Sequence, residues 1–307
     1  MKAGPNFAGI AAMVVANLAL TINNALVKLA LLHLPPLETM FLRAGVAVLL
    51  GVPLLALMVS PRNLRDVLDP RVLMRSAVEC GASIAFVFAV ANAPLADLTA
   101  ILQLTPVFVL LGAVVFFRDR VGPTAYAFVA LALLGAMLVA QPGGAGWQPY
   151  IVFGFVSALL SAGRDLLGRR VHSGVPALAV AVAVSAVSLV GMGVPMLLLE
   201  QWVVPAPTDL LLIAGAAALL TLAQLLLFMA FRLAETRAVL PFFYTGTLWS
   251  LLVGAVVFNA LPNWLGFVGM GLILISGIAV VVVERRPARQ AMPETDRPIK
   301  RFDWPRR

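Results

Sequence analysis

Gly-Ala-Val-Val-Phe occupies residues 112–116, and the same five residues return at 254–258, an offset of 142. At that offset, without a gap, Phe86 aligns with Phe228, Ala96 with Ala238, Leu98 with Leu240, Thr105 with Thr247 and Gly135 with Gly277. Earlier in each half an offset of 141 aligns Asn24 with Asp165, Lys28 with Arg169 and Pro35 with Pro176. A short apolar repeat alone says little. The shared spacing of the punctuating residues around it predicts that the chain is a duplication.

What is duplicated follows from composition. Of 307 residues 62% are hydrophobic and 12% charged, and the mean hydropathy is +1.00. Soluble domains carry about 25% charged residues, so an ordinary soluble enzyme is excluded. The single cysteine, Cys80, excludes a disulfide framework and a cysteine metal cluster, and two histidines, His33 and His172, leave little for a histidine-ligated metal. No cofactor is expected. A membrane-crossing helix needs about 20 mainly apolar residues, and ten stretches qualify, near 8–30, 37–59, 72–91, 95–117, 123–141, 150–168, 176–199, 208–231, 237–258 and 264–283. With the N-terminus cytoplasmic, every one of the 22 basic residues except Lys28 and Arg43 falls in or beside a cytoplasmic segment. Both termini are therefore expected on the cytoplasmic side. The positive charge follows topology and is not interleaved with aromatics, so nucleic acid is not an expected partner. The proline-rich tail 287–307 reads as a disordered basic segment able to rest on anionic lipid.

The expected fold is all-α and integral to the membrane: ten transmembrane helices as two inverted five-helix repeats, 1–146 and 147–286. Five spans per half is an odd number, so the copies must be oppositely oriented. Inverted repeats place a binding site near mid-membrane, where the halves meet.

Polar side chains in hydrocarbon are costly unless they face protein or water, and here they form stripes. Asn17, Thr21, Asn24 and Lys28 share one face of span 1; Ser76, Glu79 and Ser83 line span 3; Thr99 and Gln103 lie on span 4. Ser161, Arg164, Asp165 and Arg169 mark span 6, Thr221 and Gln224 span 8, and Tyr244, Thr245 and Trp249 span 9. A cavity lined by spans 1, 3, 4, 6, 8 and 9 is expected, with spans 5 and 10 peripheral. The candidate substrate-binding residues are Asn17, Thr21, Asn24, Lys28, Glu79, Ser83, Gln103, Arg164, Asp165, Gln224, Tyr244 and Trp249. Glu79, about two turns into its helix, is the candidate to carry a proton or meet a cation.

Each residue has a plainer reading. Lys28 can snorkel to the interface; Arg164 and Asp165 can form a structural pair or gate; Gln103 and Gln224 can join helices; Tyr244 and Trp249 can fill core. Arg43 and Asp97 are expected to be structural charges, Arg43 pairing with Glu38 or Asp97. Gly112, Gly135, Gly254 and Gly277 are expected where helices approach closely, and the two histidines are expected to do nothing specific.

Several segments carry a resemblance: Leu-Pro-Pro-Leu-Glu-Thr-Met-Phe-Leu-Arg (34–43), Ala-Pro-Leu-Ala-Asp-Leu-Thr-Ala-Ile-Leu-Gln-Leu-Thr-Pro (93–106) and Phe-Phe-Arg-Asp-Arg-Val-Gly (116–122). Leu-Leu-Gly-Ala-Met-Leu-Val-Ala-Gln-Pro-Gly (133–143), Arg-Asp-Leu-Leu-Gly-Arg-Arg (164–170) and Pro-Phe-Phe-Tyr-Thr (241–245) continue it. Together they resemble the ten-span EamA-type permeases of the drug/metabolite transporter superfamily. Asp119 stands where that family usually has glutamate, Phe243 where a subgroup has arginine, and Ala260 near the second glutamate position. The resemblance implies a secondary carrier, often an exporter, of amino acids or other small metabolites. A zwitterionic or aromatic metabolite is the expected cargo, with membrane lipids as surroundings and a homodimer as one assembly open to it. A lipid or polyprenyl-phosphate flippase and an opine metallophore exporter are the alternatives. An enzyme is not expected: no His-Glu-x-x-His metal motif and no Gly-x-Ser-x-Gly elbow is present.

Overall fold

The structure, a computed structural model, describes residues 7–58, 67–117, 123–141, 150–168, 171, 175–233 and 239–283. The regular structure there is helical throughout. In chain order it comprises α1 (Phe7–Ala30), α2 (Pro36–Met58), α3 (Pro70–Asn92), α4 (Leu95–Leu102), α5 (Thr105–Phe117) and α6 (Pro123–Ala140), then α7 (Ile151–Gly168), α8 (Ala177–Leu199), α9 (Pro207–Leu233), a 3-10 turn (Leu240–Tyr244), α10 (Thr245–Phe258) and α11 (Trp264–Val283). Seven helices are long and apolar enough to cross a membrane, counting 95–116 as one, and three shorter apolar helices span 126–140, 242–258 and 264–279.

The helix boundaries follow local chemistry. Proline opens α2, α3, α6 and α9, where its missing N–H leaves no bond unmade. Asp69 caps α3, its Oδ1 accepting from Arg71 N at 2.7 Å. Asn259, at φ 48°, ends α10 in the left-handed conformation, and Ala260 N then bonds Gly254 O at 2.9 Å. The expected break between the third and fourth stretches is present at Ala93–Pro94.

Two expected spans are not continuous. The fourth divides at Gln103–Leu104, just ahead of Pro106 in the first turn of α5, and the ninth enters α10 through the 3-10 turn containing Pro241. Proline cannot donate to the preceding turn and crowds its carbonyl; that local conflict breaks both segments.

Packing pairs α1 with α9, α3 with α7, α2 with α8 and α6 with α11, while α4 meets α10. Pro53 inside α2 and Pro195 inside α8 stand at the same offset of 142 as the pentapeptide. The α6–α11 contact brings backbone against backbone: a Cβ on Gly135 would lie 2.7 Å from Gly269 O, and one on Gly269 would lie 2.9 Å from Val139 Cγ2. Large apolar side chains such as Leu57, Leu197 and Val256 cover the exterior, as a lipid-facing surface requires.

The glycines expected at close helix contacts divide by kind. Gly135 fits that role, and Gly112 lies against Leu166 of α7. Gly254 faces the Ala260 carbonyl, and Gly277 is covered by the Tyr244 ring. Most of the expected cytoplasmic basic segments, with Asp119 and the tail 287–307, lie outside the described residues.

Candidate functional site

A central cavity of about 220 Å³ lies among α1, α2, α3, α7, α8 and α9. Its charged side chains are Arg43 and Glu79; its polar wall includes Asn23, Asn24, Ser83, Ser161 and Gln224. A second cavity of about 430 Å³, bordered by Arg75, Arg164, Gly168 and Val171, shares Glu79, Val184 and Gln224 with the first. It continues the central space toward the start of α3 and the ends of α7 and α9. The two cavities abut at those three residues and together reach from the centre to that side.

Where they meet stands a charged bridge. Arg164 Nη1 donates to Glu79 Oε2 at 2.6 Å, and Arg164 Nε donates to Asp165 Oδ1 at 2.8 Å. The Arg164 and Glu79 side chains are only 24% and 21% exposed, against 41% for Asp165. Charge-assisted bonds of this length are strong. The pair is chemically able both to stay closed and to open when either partner finds a better ligand or a proton.

Polar contacts close the opposite side, which carries the α1–α2 connection, the 200–206 loop and the start of α11. Glu200 accepts from Leu37 N and Glu38 N, each at 3.0 Å, and so satisfies unpaired N–H groups at the start of α2. Fully buried Glu38 accepts in turn from Val203 N at 3.0 Å. His33 Nδ1 lies 3.0 Å from Asp209 Oδ1, while Asp209 Oδ2 accepts from Ala206 N. Gln141 and Asn263 exchange amide bonds at 2.7 and 2.9 Å. Lys28 Nζ donates to the carbonyls of Val90 and Ala93 at the end of α3 and lies 5.6 Å from the Phe258 ring centroid, a favourable place for a cation at a helix C-terminus. His33 therefore has a defined partner, contrary to expectation; His172 lies outside the described residues.

The structure brings together Asn24, Glu79, Ser83 and Gln224 at the central cavity, and Arg164 beside Asp165 at its junction with the second. The other candidates lie elsewhere. Asn17 Nδ2 donates to Met13 O and to Phe242 O at 3.2 Å, and Gln103 Nε2 donates to Phe243 O and to Thr247 Oγ1 at 3.3 Å. Both amides serve carbonyls of the 3-10 turn, Phe242 O and Phe243 O, which also accept from the Thr245 N–H. Thr21 Oγ1 donates to Asn17 O. Tyr244 is 3% exposed, packed edge-on against Phe243, with its hydroxyl unpartnered; Trp249 Nε1 is likewise unpartnered. Lys28 lines neither cavity.

Arg43 differs from its expected role. Glu38 is engaged by the 200–206 loop, Asp97 lies at the start of α4 with its Oδ1 unpartnered, and neither pairs with Arg43. Arg43 instead faces the central cavity, beside Asn23. The lining helices also depart from expectation: α2 and α8 contribute, the ninth segment contributes nothing, and the fourth only Leu102. Asn23 and Ser157 also line the cavity without having been candidates, as do Ser185 and Ser188 of α8. Their three-residue spacing would have placed them on one helix face, but serine is common enough in apolar helices to hide the signal. The expected peripheral position of spans 5 and 10 agrees with α6 and α11, which supply no residue to either cavity.

Residues 7–141 match the EamA-like transporter family. The chain is 27% identical over 276 residues to the pseudopaline exporter CntI of Pseudomonas aeruginosa, covering 89% of this chain and 95% of that protein. It is 27% identical over 282 residues to a riboflavin transporter of Rhizobium johnstonii, covering 91% and 92%. A Helicobacter pylori protein described as an uncharacterized transporter is 26% identical over 287 residues. One crystal structure superposes with a TM-score of 0.62 at 20% identity, covering 91% of this chain and 98% of its own, a likeness of fold alone. The first half is thus similar to EamA-like transporters, and the relatives that align along nine-tenths of the chain are named as transporters.

Proposed function

We propose that the whole chain is a ten-span secondary transporter of the bacterial inner membrane, built from inverted repeats 1–146 and 147–286, with both termini cytoplasmic. It moves a small polar or zwitterionic metabolite outward by alternating access. The observation that carries this reading is the one-sided path: a polar central cavity joined to a second cavity on one side and closed by polar contacts on the other. With the N-terminus inside, the closed side is periplasmic, and the conformation is inward-open.

The packing supports the inverted repeat. Exchanging the halves turns the α1–α9 contact into the α7–α3 contact, while α2–α8 and α6–α11 map onto themselves. A two-fold relation in the membrane plane generates that pattern. Seven long and three shorter apolar helices accommodate ten crossings.

Glu79 and Arg164 are the moving charges in this account. Protonation of Glu79, or arrival of a cationic cargo group, weakens its bond to Arg164 and loosens α3 from α7. The relatives' names differ in cargo, pseudopaline and riboflavin, so they support transport without choosing what is carried. An opine metallophore is a second reading, favoured by the similarity to CntI. Substrate counterflow into proteoliposomes, with an amino-acid, nucleoside and metallophore panel and with or without a proton gradient, tests the proposal. Saturable counterflow of at least one compound supports it; none across the panel overturns it.

A further inference from the structure

We infer that Arg43 is the anchor for a carboxylate on the transported molecule, an assignment that rests on the central cavity being the transport site. Around the two cavities stand three guanidinium groups, Arg43, Arg75 and Arg164, and two carboxylates, Glu79 and Asp165. Arg164 engages both carboxylates at 2.6 and 2.8 Å. Arg75 lies one turn into α3, bordering the second cavity beside Gly168, and is less deeply enclosed than Arg43.

Arg43 has neither relief. It sits in the second turn of α2 and faces the deep end of the path. Among the described residues no carboxylate reaches it at salt-bridge distance; Glu79, which shares its cavity and attracts it, is held by Arg164. A guanidinium in mid-membrane is tolerated only beside water or an anion. Its planar fork of donors matches a carboxylate bidentately. Ser83 and Ser161, on the same cavity wall, have no side-chain hydrogen bond within the described residues and can complete the anion's shell. One excess deep cation matches one monoanionic group. A phosphomonoester, carrying about −1.5 to −2 at neutral pH, would leave a second charge uncompensated.

The test uses the purified full-length chain and three acid–amide pairs: benzoate and benzamide, succinate and succinamate, phenylalanine and phenylalaninamide, with phenyl phosphate as a further arm. Ligand-dependent thermal stability is measured for wild type, R43K and R43Q. At least one acid is expected to bind saturably, with its amide about 10–100-fold weaker, the factor for a lost hydrogen bond to a charged group. R43Q is expected to erase the difference and R43K to keep part of it. Should R43Q fail to fold, the wild-type preference and R43K decide.

Equal binding of acid and amide, tighter binding of phenyl phosphate, discrimination surviving in R43Q, or no acid binding at millimolar concentration overturns the assignment. Counterflow of the same compounds separates the two proposals. Flux without preference for the carboxylate removes this inference and leaves the transporter standing. Acid-selective binding that depends on Arg43, without flux of any compound, leaves a carboxylate site but removes the transporter and with it the assignment to a transported molecule.

Discussion

Arg164 on α7 reaches Glu79 on α3 with a 2.6 Å bond, and Glu79 borders both the central cavity and the passage leading from it. The bridge joins the two expected repeats where, on the proposed reading, a cargo passes. A half-buried bond between ions stabilises that conformation, and losing one partner leaves the other charge poorly solvated.

Removing the carboxylate should therefore disturb both conformation and coupling. Glu79→Gln is expected to lower counterflow by at least about tenfold, as loss of one charge-assisted bond predicts, and to flatten the dependence of flux on pH. Flux and pH profile matching wild type would remove Glu79 from the mechanism.

The pair should also be non-additive. Arg164→Gln and Glu79→Gln are each expected to cost about 1–3 kcal/mol of stability, and the double variant less than their sum, because each single change strands the other charge and the double change does not. Thermal unfolding of the four proteins measures the coupling. Strict additivity would mean that the charges do not depend on each other.

Tyr244 offers a sharper division between packing and binding. Its hydroxyl is unpartnered and its ring lies across Gly277. Tyr244→Phe is expected to leave flux unchanged and stability within about 1 kcal/mol, the usual net worth of one hydrogen bond. Gly277→Ala, which must displace the ring, is expected to cost about 1–3 kcal/mol as an overpacked core does. A loss of transport in Tyr244→Phe with normal stability would return the hydroxyl to the binding site.

At the α6–α11 contact, Gly135→Val is expected to lower thermal stability by about 1–3 kcal/mol, since the added carbons meet Gly269 O and Leu272. Substrate preference should not change, because neither helix borders a cavity. A changed preference would contradict the peripheral placement.

Helix positions were legible because each apolar run is bounded by proline, glycine or charge, and those residues act locally. Pro35-Pro36, Pro94 and Asn259 needed no tertiary context to be read. The divided fourth and ninth segments were less visible, since their apolar pattern continues across the break and only Pro106 and Pro241 hint at it. Polar stripes identified which side chains avoid lipid, but not what they face instead. Asn24, Glu79 and Ser83 face the cavity, whereas Asn17 and Gln103 bond the carbonyls of 242–243; before the break at 240–244 is known, these outcomes look alike. The expected pairing of Arg43 is absent for a related reason. Glu38 and Asp97 are near it in sequence or expected depth, but the 200–206 loop, far along the chain, holds Glu38.

The one-sided hydrated path is tested most directly by thiol labelling in a Cys80→Ala background, with Ser161→Cys on the cavity wall and Leu57→Cys on the exterior. A membrane-impermeant maleimide should label the Ser161 variant quickly in inside-out vesicles and slowly in right-side-out vesicles, while the Leu57 variant, facing lipid, stays unlabelled. Equal labelling of the Ser161 variant from both sides, or none from either, would contradict the account.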